Sequence, residues 1–148
     1  MTARNLQLAD SARQALADAQ QGGSPFSHAF TPSASYFNAQ SPGQGSTGVR
    51  VHIAPLANRT HEGAAREEEL RERDLSFAVV REVTGVDDPN VGQVEELADE
   101  IMDWLQRNPI APDASWGGDS QGLPVQITEL REHSMAVSLF EVTFIQPR

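Results

Sequence analysis

Lysine and cysteine are both absent from this chain of 148 residues. Without cysteine there is no disulfide framework, no thiolate nucleophile, no iron–sulfur cluster and no cysteine-ligated zinc. Without lysine, no ammonium group can reach a phosphate from the glycine-rich run at Gly43, Gly45 and Gly48, which reads as a turn into the next strand. Long apolar runs are missing as well. Stretches such as 76–80 and 136–140 fall far short of the roughly 20 residues that a bilayer-spanning helix needs. The first ten residues lack the basic-then-apolar plan of a signal peptide, so a soluble intracellular product is expected. Positive charge is scarce. Eleven arginines face 21 carboxylates, for a net charge of −10. So acidic a chain gains nothing from counterion release on DNA or RNA, and an anionic membrane surface is disfavoured for the same reason.

The charge is unevenly placed. Residues 1–48 and 49–73 are each neutral, whereas 74–108 carry −7 and 109–148 carry −3. Between Ala19 and Val49 there is no charged side chain at all. That stretch is rich in Gly, Ser and Pro around Phe26, Phe30, Tyr36 and Phe37. A flexible linker is the plain reading, and the aromatics make an interface-packing arm the sharper one.

Periodicity supplies the elements. Leu6, Ala9, Ala12, Leu16 and Ala19 form one helical stripe that Gly22 and Gly23 end. Val49, Val51 and Ile53 alternate as a strand closed by Pro55. Residues 57–73 are polar with alternating signs, which suggests a solvated loop or a short helical excursion laced with pairs such as Glu67–Arg71 and Glu69–Arg73. Residues 74–83 read as a second strand. Asp88 then offers an N-cap with Pro89 at the first helical position. Val91, Val94, Leu97, Ala98, Ile101, Trp104 and Leu105 run down one helical face to Asn108 and Pro109. After a Gly/Pro/Asp loop, strands are expected at 124–130 and 135–146. The fold class is therefore α+β: a mostly antiparallel four-stranded sheet with two helices packed on one face, plus an extended uncharged arm. The expected organisation is an N-terminal helix (1–22), an arm (23–48) and a core (49–148), with helix and core forming one domain.

Chemistry-bearing motifs are sparse. His61-Glu62 does not continue to a second histidine at the spacing a zinc protease needs, and His28, His52, His61 and His133 are scattered. On the helix, Glu95, Glu96, Asp99, Glu100 and Asp103 stack carboxylates at i,i+4. A hard cation wants oxygens from several directions, so a solvated or partner-facing surface is the better reading than a metal site. No enzyme activity, no catalytic residue, no cofactor and no metal are expected.

Four stretches in this order carry a resemblance: the aromatic arm 30–36, the strand 49–55 with its charged insertion, the strand 74–83 leading to the acidic helix with Trp104 and Leu105, and the closing strand 140–145. The chain resembles the neck and tail-completion proteins of tailed bacteriophages, and most closely the tail terminator family that includes the lambdoid minor tail protein U. The resemblance implies a structural virion protein of the tail or neck, made in the host cytoplasm. Such a protein forms a hexameric ring that stops growth of the tail tube and receives the head-side connector. The implied partners are further copies of itself, the tail tube protein, the connector or adaptor, and the tail sheath as an additional candidate. DNA only passes through, and no membrane is involved. A head-closure (stopper) protein or other neck adaptor, or an unrelated acidic protein-binding module, remain alternatives. Arg59, Arg66, Arg71 and Arg73, with Phe30, Tyr36 and Phe37, are the candidate subunit or tube contacts. Glu95, Glu96, Asp99, Glu100 and Asp103 are the candidate acidic surface.

Overall fold

The computed structural model describes residues 4–36, 48–60 and 70–147, with residues 57–60 by backbone alone. In chain order the elements are α1 (Arg4–Ala19), β1 (Phe30–Ala34), β2 (Val49–Thr60), β3 (Leu70–Glu82), α2 (Val91–Arg107), β4 (Ser115–Gln121), α3 (Ile127–His133) and β5 (Met135–Pro147). The two strands that carry apolar residues on both faces, β3 and β5, take central positions in the sheet, as burial on both sides requires. They pair antiparallel along their whole length, from Leu70 opposite Pro147 to Glu82 opposite Met135. The sheet order is β1-β2-β3-β5-β4, with β1 parallel to β2 and every other pair antiparallel.

This corrects the expected architecture: among the described residues the sheet has five strands and is mixed, and there are three helices. Part of the uncharged arm is strand β1, which lies along β2 in parallel register. A parallel pair needs a crossover of about a dozen residues, and the polar stretch 35–48 supplies that length. The Gly/Pro/Asp loop contains β4, whose sequence has little strand propensity. Its pairing with β5 shifts register between Trp116 and Gly118. Gly118 has φ of 143°, a conformation open to glycine, and a Cβ at Gly117 would meet the Thr143 carbonyl oxygen at 3.1 Å. The strand expected at 124–130 is mostly α3. Four alternating residues there cannot separate a strand from a short helix. Ser134, left-handed at φ 51°, ends α3 by donating its N–H to the Glu129 carbonyl. Residues 57–60 and 70–73 continue the β2–β3 hairpin instead of leaving it as a loop or helical excursion.

One face of the sheet holds the main core. Leu8, Ala9, Ala12 and Leu16 of α1 join Val94, Leu97, Ala98, Ile101 and Leu105 of α2 in one buried cluster with the inward residues of the strands. The alanines of α1 bury little area each but leave little bulk between helix and sheet. At the centre Phe77 and Phe140 stack with ring centroids 4.9 Å apart and an interplanar angle of 2°. Phe26 meets Phe30 edge-on at 5.3 Å and Trp104 at 6.0 Å, closing the core where the chain leaves α1. The opposite face carries a smaller cluster of Ala78, Val80, Met135 and Val137.

The outer edge of β1 is blunted. The Gln20 side-chain amide donates to the Phe30 carbonyl at 2.9 Å and accepts the Phe30 N–H at 3.0 Å, standing in for a neighbouring strand. Two residues on, Pro32 has no N–H to offer. Together they deny this edge to another chain.

Asp88 caps a turn instead of the helix itself. Its carboxylate accepts the N–H groups of Thr84 at 2.9 Å and Asn90 at 2.8 Å, and α2 begins at Val91, with Asn90 as its capping residue. Those two backbone donors hold the Asp88 carboxyl below its ordinary pKa.

Two measurements check this packing. Phe140→Ala removes half of the central ring stack and should cost about 3–5 kcal/mol of unfolding free energy in a urea titration. A carboxyl with a depressed folded pKa contributes stability that is complete above the ordinary carboxylate range and is lost as pH falls through the depressed value. The melting temperature of the wild type should therefore drop below about pH 4 by more than that of Asp88→Asn.

Candidate functional site

The helical repeat divides the five α2 carboxylates into two stripes. Glu96 and Glu100 lie on one flank and Glu95 and Asp99 on the next, with Asp103 between them, four residues after Asp99 and three after Glu100. The first stripe is answered within the chain. His28 Nε2 lies 3.2 Å from Glu96 Oε2. The Ser27 N–H donates to Glu100 at 2.9 Å, and the Ser27 hydroxyl donates to the other oxygen of the same carboxylate. Asp103 receives Arg107 one turn further on. So the start of the uncharged arm is pinned to the acidic helix, a use the spacing of carboxylates did not foretell. Glu95 and Asp99 are exposed and make no ion pair among the described residues.

Arginine collects at the other end of the strands. Arg73 is 6% exposed, and its Nη1 donates to Asn5 Oδ1 in the first turn of α1. Arg4 donates to the Pro147 carbonyl at 3.3 Å and lies 3.6 Å from Asp113. Gln146 Nε2 donates to the other Asp113 oxygen at 3.2 Å. Burial, then the charges of Arg4 and Arg71, push the Arg73 guanidinium below its ordinary pKa, while Asp113 opposes them. Among the described residues, Arg4, Arg71 and Asp113 are the charges that act on Arg73, and α1 has no acidic residue in its first turn to offset its positive end. Arg71 is half-buried and makes no ion pair among the described residues. Glu72 and Asp74 alternate to the other side of β3, where Asp74 accepts the Thr143 hydroxyl at 2.6 Å.

The remaining candidates separate. Phe30 is a core residue at 7% exposure, and Tyr36 is exposed at 54%. Arg59 lies on β2 opposite Glu72 by backbone register. Arg66 and Phe37 fall outside the described residues. His52 has both ring nitrogens engaged by hydroxyls, Nδ1 with Ser33 Oγ at 2.9 Å and Nε2 with Ser35 Oγ at 2.8 Å, which ties β1 to β2. Arg4, Asn5, Asp113 and Gln146 went unnoticed because they are spread over the sequence and only the fold gathers them. Among the described residues no group of three His, Asp or Glu side chains is placed to hold a metal ion, and no helix is long and apolar enough to cross a membrane. No protein-family model matches the chain, and no curated protein matches it.

The arm's anchorage can be tested directly. Glu100→Ala removes both acceptors of Ser27 and should cost about 1–2 kcal/mol, with faster amide exchange at Ser27 and unchanged exchange in β3.

Proposed function

We propose that the protein is a structural component of a tailed-phage neck, a terminator ring that caps the tail tube and joins it to the head-side connector. The observation that carries this reading is the β2–β3 hairpin. Its strands run on past the end of β1, which stops opposite Ile53, so that Arg59 and Arg71 ride on a paired ribbon instead of a loose loop. A paired ribbon is stiff enough to hold charged residues in register against a neighbour, which suits a protein whose work is docking.

Two further features support it. The element order that prompted the resemblance (strand, charged segment, strand, acidic helix, closing strand) persists with β4 and α3 added between the last two. The net charge of −10 keeps a ring from adhering to the DNA that crosses it. Closure follows from heterologous contacts when the rotation between subunits is right.

Electron microscopy tests the proposal, using the purified protein alone and with growing tail tubes of the phage whose genome encodes it. Hexameric rings, free or seated on tube ends, with tube growth arrested, are the expected result. A protein that stays monomeric in both settings and leaves tube length unaltered would overturn it.

A further inference from the structure

Among the described residues the two surfaces of unbalanced charge, acidic on α2 and basic at the far end of β3, lie too far apart to meet inside one molecule. Arg73 near the start of β3 bonds Asn5 of α1, and Arg81 near its end bonds Gln93 of α2 at 2.6 Å. The two strand positions are about 26 Å apart at roughly 3.3 Å per residue, which sets the first turns of α2 well away from the arginine-rich end. Glu95 and Asp99 follow Gln93 on α2, on the flank that no basic side chain among the described residues reaches. Like charges at i,i+4 repel by a few tenths of a kcal/mol, so that flank is uncompensated in the free chain. Among the described residues the arginine-rich end has the opposite excess, with Arg4 exposed and paired to Asp113, Arg71 half-buried and Arg73 beneath them.

We propose that a second copy of this chain docks Glu95 and Asp99 of its α2 against the Arg4–Arg71 end of the first. The surfaces differ, so the contact is heterologous: each copy offers one of each and leaves one of each open for the next. The inference rests on the ring reading above and names the surfaces that would build it. The paired groups are partly exposed, so the contact weakens as salt screens them. Buried Arg73 makes no contact of its own, and its charge raises the potential that the incoming carboxylates meet.

Charge reversal in two halves tests the pairing. One variant carries Arg4→Glu with Arg71→Glu, and the other carries Glu95→Arg with Asp99→Arg. Circular dichroism confirms that each still folds. In sedimentation velocity at low salt, the wild type should assemble, and each variant alone should associate about a hundredfold more weakly, since like charges then face each other. A mixture of the two should recover assembly, because each reversed surface meets its opposite on the other variant and the copies alternate. A wild type that assembles while both variants also assemble alone sinks this contact and leaves the ring reading standing. Variants that fail alone and also fail together sink the pairing of these two surfaces. A wild type that stays monomeric at every salt and concentration overturns this contact, and with it the ring if tube ends also stay bare.

Discussion

The rest of the structure is referred to one register, the antiparallel pairing of β3 with β5. A slip of one residue would move Phe77, Val79, Phe140 and Val142 to the other face of the sheet. Because both faces of these strands are apolar at their middle, polarity alone does not forbid that slip. Size does. The helix-side face carries the large rings and branched chains, and the other carries Ala78, Val80, Met135 and Val137. Phe77 and Phe140 are direct partners in the observed register, which is what lets their rings stack face to face.

Both long helices are fastened to this strand pair by arginine. Arg73 and Arg81 lie on the same face of β3, one near each end, and reach Asn5 of α1 and Gln93 of α2 respectively. Arg50, Arg73 and Arg81 all carry guanidinium nitrogens that are buried without a hydrogen-bond partner among the described residues. A guanidinium stays charged under such burial and offers five donors in a fixed fork, so some can bond while others lie against apolar neighbours. An ammonium at the same depth would lose its proton more readily. Arginine is therefore the basic residue these positions call for, in a chain that has no lysine.

Periodicity made the central elements legible. The stripes of α1 and α2, the alternation of β2 and the doubly apolar strands β3 and β5 follow from residue spacing, because burial against a single core imposes it. β1 and β4 were hidden for a physical reason. Edge strands owe their form to a neighbour's hydrogen bonds, and Pro32, Gly117 and Gly118, which read as breakers, are what an edge tolerates. The α2 carboxylates were visible from their spacing. Their partners Ser27 and His28 were not, since an uncharged arm gives no sign of which helix it crosses. Arg71 and Arg73 stood out by charge density, but that both lie on one face of β3, with Glu72 and Asp74 on the other, depends on their being strand residues.

The acidic helix is a case of selective compensation. A stripe of carboxylates at i,i+4 raises the energy of the helix that carries it, and the chain has answered one flank residue by residue with His28, Ser27 and Arg107. The other flank has no such answer: Glu95 and Asp99 are exposed on a helix whose opposite face is buried, and no basic side chain stands one turn away from either on α2. Their repulsion is thus a small destabilisation kept in the free chain. Among the described residues nothing offsets that term, so the same residues that weaken the isolated helix would strengthen a state in which an arginine of another molecule sat beside them.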